Sequence, residues 1–236
     1  MSGEASFDVA KLRPAPEQDT LRTMETEHSS NSHARLDWKA AREHFKSVDP
    51  GLLALAIRFP SPAMSRPRST FESLSHAIIG QQLSVKAAAT IWNRVLDHHG
   101  GLVSAQGVLN TPQDQHRSLG VSRQKHGYLC SLADAYLASP ASFDDVETWS
   151  DEDIVAAWTQ VKGLGRWTVQ MHLMFQLGRP DVFPVDDLGI RRAMEAHFGI
   201  PKDAPKSTYE KRALVWSPFR TAACRVLWMS LDNQPK

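Results

Sequence analysis

The chain predicts an all-α fold of two lobes, and three observations carry that expectation. Helix-start signals recur: Asp49-Pro50, Ser69-x-x-Glu72, Ser84, Ser122, Ser207-x-x-Glu210 and Ser217-Pro218 each place a capping side chain or a first-turn proline before a helical run. Strand signals are scarce. Apolar residues also follow helical spacing, as at Val169, Leu173 and Phe175.

The elements follow in order. Residues 1–34 mix Ser, Pro, Glu, Thr and His without periodicity and read as a mobile tail, which leaves 35–236 as the folded domain. Asp49-Pro50 opens a short helix, and FPSPAMSRPR at 59–68 is a Pro-rich loop. Ser69 and Glu72 then form a capping box, and Ser84 and Ser122 cap longer helices. A glycine-bounded hairpin, Lys162-Gly163-Leu164-Gly165-Arg166, leads into a helix that Gly178 and Pro180 stop. PDVFPV is extended, and Asp186-Asp187 open helix 188–198. Ser207 with Glu210 forms a second capping box, and Ser217-Pro218 puts Pro in the first turn of the last helix. A central bundle is expected over about 70–185 and a second lobe from 35–69 plus 186–236, with the functional cleft between them.

Composition excludes several classes. With 236 residues, 42% hydrophobic and 22% charged, the chain can build a globular core. Its two cysteines, Cys130 and Cys224, lie outside any C-x-x-C and supply neither a disulfide framework nor a zinc or four-cysteine iron–sulfur site. No apolar run reaches the roughly 18 residues of a membrane span, and MSGEASFDVAKLRPAPEQ lacks the basic and apolar regions of a signal peptide. The expected setting is therefore a reducing, intracellular compartment. Net charge is +1, but the first 35 residues hold four basic groups against six acidic ones, leaving +3 for the remainder. A modest nucleic-acid footprint fits that balance, made by backbone amides and a few of Lys86, Lys162 and Arg166.

The chemistry concentrates in VKGLGRWTVQMHLMFQLGRPDVFPVDD, residues 161–187. Glycine permits positive φ and close approach of main chain to another molecule, and the helix that begins with Arg166, Trp167 and Thr168 offers unpaired N–H groups to an anion such as phosphate. The pattern reads as DNA held by backbone amides beside a carboxylate. Each residue also has a plainer reading: Asp186 and Asp187 as helix caps, Trp167 and Trp228 as core anchors, Gln81 and Gln82 as polar helix ends, and the hairpin as an ordinary helix–helix turn.

On these residues the chain resembles the helix-hairpin-helix DNA glycosylase superfamily, and within it the 3-methyladenine DNA glycosylase II branch. The hairpin is followed by a Gly/Pro-rich loop ending in an Asp-Asp pair, with Trp167 two residues after the second hairpin glycine and Asp187 twenty after Trp167. The segment 71–88, FESLSHAIIGQQLSVKAA, resembles the family's DNA-wedge segment, with Gln82 at the wedge position beside Leu83. WSPFR at 216–220 through Leu227-Trp228 resembles its last helix. The likeness spans roughly residues 37–232. It departs where some members carry a pocket Tyr and this chain has Met171, and where larger bacterial members carry an N-terminal sheet domain.

The resemblance implies a helical glycosylase fold with Asp187 as the catalytic residue and capping left to Asp186. It implies a base pocket of Trp167, Met171 and Trp228, and a phosphate-binding hairpin of Lys162, Gly163, Leu164, Gly165, Arg166 and Thr168. Lyase relatives carry Lys where this chain has Trp167, so the implied enzyme is monofunctional: it flips out an alkylated base and cuts its N-glycosidic bond with water. No cofactor is required, though a Na or K ion held by hairpin carbonyls near Leu164 is implied. The expected partner is damaged DNA, met by a monomer in cytoplasm or nucleoid, or in a nucleus, with no membrane. Two alternatives stand beside this: a glycosylase for oxidised or mismatched bases, and a non-catalytic helix-hairpin-helix DNA-binding module.

Overall fold

The computed structural model describes residues 35–59 and 68–232. The expected tail at 1–34 and most of the Pro-rich loop lie outside the described residues. Among those residues every regular element is helical, and no helix is long and apolar enough to cross a membrane. The described chain divides into two compact units, 68–172 and 35–59 with 173–232. The division falls at His172 and Leu173, earlier in the chain than residue 185.

The first unit holds α3 (Thr70–Gly80), α4 (Val85–His98), α5 (Ala105–Asn110), α6 (Gln113–Ser118), α7 (Arg123–Ala138), α8 (Ala141–Asp144), α9 (Asp151–Trp158) and α10 (Arg166–His172). Three of its starts are set by the serines that the sequence marks: Ser69, Ser84 and Ser122 accept from the N–H groups of Glu72, Ala87 and Lys125. Helix α3 packs against α4, α7, α8 and α10, and buries Phe71, Leu74, Ile78 and Ile79. Around it Phe143 stacks on Trp158 at 5.4 Å, and Trp158 meets His172 edge-on at 5.2 Å. Burial lowers the His172 pKa to about 3, so its ring packs neutral, with Nδ1 3.0 Å from Ser73 Oγ.

The second unit comprises α1 (Trp38–Val48), α2 (Pro50–Arg58), a π-helical turn at Leu173–Leu177, α11 (Leu188–Phe198), α12 (Lys206–Ala213), a 3-10 turn at Leu214–Trp216, and α13 (Arg220–Asp232). Helix α13 is its centre, packed against α2 and α11, with Ala222, Ala223, Cys224, Val226 and Leu227 fully buried. Asp49 caps α2 and sits buried, accepting from Leu52 N at 3.0 Å, from Trp216 Nε1 at 2.6 Å and from Arg212. Burial pushes its carboxyl pKa up, but the hydrogen bonds from Trp216, Arg212 and Leu52, with the Arg212 charge, outweigh that and hold it below the ordinary value.

Two expected starts differ. Ser207 does not cap α12, which begins at Lys206 behind Pro205; the fixed φ of Pro205 (−55°) already directs the chain into the helix, and its carbonyl accepts from Thr208 N. Pro218 is not in the first turn of α13, because Asp181 caps that helix from a distant loop, accepting from Arg220 N at 3.1 Å and pairing with the Arg220 guanidinium, so the helix begins at Arg220.

Candidate active site and nucleic-acid interface

The expected site residues divide between the two units. The first holds the hairpin, the wedge turn, Trp167 and Met171; the second holds Asp187 and Trp228.

In the first unit Val161 and Leu164 are 1% and 3% exposed, so their side chains anchor the hairpin while Lys162, Gly165 and Arg166 stay outside. The two glycines differ in purpose. Gly163 has φ +99°, and a Cβ there would lie 2.4 Å from Tyr128 Cγ, so its close approach is to α7 within the protein. At Gly165 a Cβ would meet no protein atom within 4 Å, so only this glycine leaves open space at the surface. Arg166 pairs with Glu152 at 2.5 Å, which offsets the charge that the sequence reading assigned to DNA. Thr168 is buried, with its Oγ1 3.5 Å from Gln81 Nε2, so its side chain packs inside the protein. Trp167 is 41% exposed, which removes the core-anchor reading, and Met171 is half-buried on α10.

The wedge turn is fastened to that hairpin. Gln81 closes α3 and donates its side-chain amide to the Gly163 carbonyl at 2.9 Å. Lys125 donates to the carbonyls of Ile79 and Gln81 at 2.7 and 2.8 Å, satisfying acceptors that the end of a helix leaves open. Burial lowers the Lys125 pKa. With its neighbours held, Gln82 adopts φ +57° and stands exposed, next to an exposed Leu83.

In the second unit Asp187, not Asp186, caps α11. Its Oδ1 accepts from Ile190 N at 2.9 Å and from Trp228 Nε1 at 3.0 Å. Asp186 is exposed and pairs with Lys206, because the chain turns into the helix only after Asp187. Trp228 reaches Asp187 across Gly189, where a Cβ would lie 3.1 Å from Asp187 Oδ1 and 3.2 Å from the indole. Phe175, in the π-helical turn, stacks on Trp228 with centroids 5.8 Å apart and planes at 28°. Behind it the buried Arg225 lies 5.6 Å from the Phe175 ring and 5.2 Å from that of Trp38.

Sequence reasoning missed Gly189, Phe175 and Lys125. A signal existed for Gly189: glycine in a first helical turn weakens the helix and marks close approach. None existed for Lys125, whose acceptors lie 46 and 44 residues away.

Chemically, the second unit presents a carboxylate held by two N–H donors at the start of a helix, beside an aromatic pair. The first presents an exposed turn and a hairpin with one unobstructed glycine. The profile of the HhH-GPD superfamily base excision DNA repair proteins matches residues 75–218. DNA-3-methyladenine glycosylase 1 of Schizosaccharomyces pombe is 35% identical over 173 residues, 72% of this chain and 75% of that protein. Among solved structures, S. pombe 3-methyladenine DNA glycosylase Mag1 in complex with abasic DNA matches with TM-score 0.74 and 32% identity, covering 84% of this chain and all of that one. A DNA-3-methyladenine glycosidase from Bacillus halodurans matches with TM-score 0.71 and 27% identity over 85% of this chain and 92% of that one.

Proposed function

Because the chain belongs to the HhH-GPD superfamily of base excision DNA repair proteins, we propose that its carboxylate at Asp187 is the catalytic group of a monofunctional glycosylase. The protein is a 3-methyladenine DNA glycosylase that initiates base excision repair of alkylated bases. The observation that carries the residue assignment is the fixing of Asp187 Oδ1 by Ile190 N and Trp228 Nε1.

Breaking the N-glycosidic bond builds positive charge on the deoxyribose, so a fixed carboxylate near C1′ stabilises the transition state and orients the attacking water. A unit charge at about 4 Å with an effective dielectric of about 20 is worth about 4 kcal/mol, on the order of a thousandfold in rate. Pre-orientation by two donors means that little reorganisation accompanies the reaction. Alkylated bases such as 3-methyladenine and 7-methylguanine are already cationic and leave without a general acid. In the second unit the aromatic face of Trp228 favours such a ring; in the first, Gln82 suits the gap left in the duplex.

The hairpin takes a phosphate through the open face at Gly165 and the N–H groups that begin α10. The buried Leu164 side chain and the Leu164 N to Val161 O bond at 3.0 Å fix the hairpin backbone, which suits carbonyl ligation of a Na or K ion near Leu164. Such an ion, if held there, would supply positive charge to the hairpin's anion site.

The test incubates the protein with duplexes carrying 3-methyladenine, 7-methylguanine, hypoxanthine or 8-oxoguanine, and measures released base and alkali-labile sites. Release of the methylated bases without a borohydride-trapped adduct is expected. Trapping in high yield, or release of 8-oxoguanine alone, overturns the reading.

A further inference from the structure

The α7 face next to the hairpin carries a surface cavity of about 530 Å³ lined by Arg123, Gln124, Gly127, Tyr128 and Lys162, all within the first unit. Its polar groups are mostly donors. Among the described residues neither Arg123 nor Lys162 has a carboxylate within ion-pair distance, whereas Arg166 is matched by Glu152. The Tyr128 hydroxyl accepts from Gln124 Nε2 at 2.6 Å, which leaves its own hydrogen to donate. Gly163 seats against the Tyr128 ring, so one wall of the cavity is fixed by the hairpin itself.

Gly127 is the second, independent observation. Glycine weakens a helix interior relative to alanine, yet this exposed residue sits inside the 16-residue α7 and a Cβ there would meet no protein atom within 4 Å. Packing within the protein does not require its bareness. A molecule approaching from outside would make use of it.

The structure assigns this cavity as a second DNA-backbone subsite, distinct from the hairpin amides: a phosphodiester is held by Arg123 and Lys162, with the Tyr128 hydroxyl donating, and the adjoining sugar passes over Gly127. The ligand is an anion because the lining offers two cations, an amide and a phenol with no carboxylate. It is a polymer backbone because the cavity is far larger than one phosphate. The assignment rests on the DNA-repair reading above, and it extends the footprint to a helix that the sequence motifs do not mark.

The test measures affinity for an undamaged duplex as a function of salt. Each lost phosphate contact lowers the slope of log K against log salt by about 0.9, equivalent to about eightfold weaker binding at 0.1 M salt and none at 1 M. Arg123→Gln should lose one such unit, and Gly127→Glu should weaken binding at least as much while its thermal midpoint does not fall. Arg117→Gln, which removes an exposed cation from α6, is the control and should keep the wild-type slope.

Wild-type slopes in both Arg123→Gln and Gly127→Glu overturn the subsite, and so does an equal loss in Arg117→Gln, which would make the effect one of total charge. Inorganic phosphate is titrated in parallel at constant ionic strength. Millimolar binding of phosphate that Arg123→Gln abolishes, with an unchanged DNA slope, makes this a free-phosphate site and also overturns the proposal. Release of methylated bases is assayed on the same wild-type preparation. Loss of slope in a protein that excises nothing sinks the glycosylase reading alone; normal excision with unchanged slopes sinks the subsite alone.

Discussion

Trp228 donates its indole N–H to the same carboxylate oxygen of Asp187 that closes helix α11, at 3.0 Å, so one atom serves both a helix start and an aromatic wall. The indole therefore acts on the carboxylate as well as on any ring stacked against it.

Replacing Trp228 by Phe keeps a ring against Phe175 but removes the donor. A hydrogen bond to a charged group contributes about 1.5–3 kcal/mol, so single-turnover excision should fall at least about tenfold, with duplex affinity unchanged. Trp228→Ala should fall further, because the aromatic face goes too. Equal rates for Trp228→Phe and wild type would show that the contact does not orient the carboxylate.

Asp187→Asn keeps the cap, since Asn serves that position well, but loses the charge. Excision should drop on the order of a thousandfold while urea denaturation shifts by less than about 1 kcal/mol. Asp186→Asn breaks only an exposed pair with Lys206 and should cost little activity. Matching losses in the two variants would remove the assignment of Asp187.

The hairpin glycines should separate stability from binding. Gly163→Ala combines a positive φ with a Cβ driven into Tyr128 and should cost about 2 kcal/mol or more by denaturation. Gly165→Val should leave the fold near wild type and weaken damaged and undamaged duplexes by similar factors, because phosphate contacts carry no base information. Normal DNA affinity in Gly165→Val would reduce the hairpin to a structural turn.

Asp49 contributes to acid sensitivity in the second unit. Its folded pKa is below its ordinary 3.8, so the stabilisation is present above that value and is lost as pH falls through the lower folded value. Asp49→Asn should lower stability at neutral pH by about 2–3 kcal/mol, less than the roughly 3–5 kcal/mol for a fully buried pair because the Arg212 side chain is 29% exposed. It should also flatten the acid limb of the stability–pH curve. An unchanged limb, followed by denaturation from pH 6 to 2, would assign acid sensitivity to other carboxylates.

What the sequence showed was what neighbours decide. Ser69, Ser84 and Ser122 cap because the amides they serve lie three residues on. Ser207 and Pro218 misled for the opposite reason. Pro205 and Asp181 set those helix starts, and Asp181 lies 39 residues from the amide it caps. The Gln81 link to Gly163 spans 82 residues, and no local pattern distinguishes such a glutamine from a solvated one. Glycine spacing marked the hairpin, but whether each glycine faces Tyr128 or open space is a property of packing.

The amide of Gln81 makes the turn bearing Gln82 and the hairpin a single mechanical body. If, as proposed, the hairpin grips phosphate and Gln82 probes the duplex, inspection is not independent of grip: each step of the hairpin from one phosphate to the next would withdraw and reset the probing side chain. Speed of travel and thoroughness of inspection are then tied together, and Gln81→Leu, tracked as single molecules on stretched DNA, should slide faster while passing more lesions. A variant that changes neither rate would show that the two parts move separately.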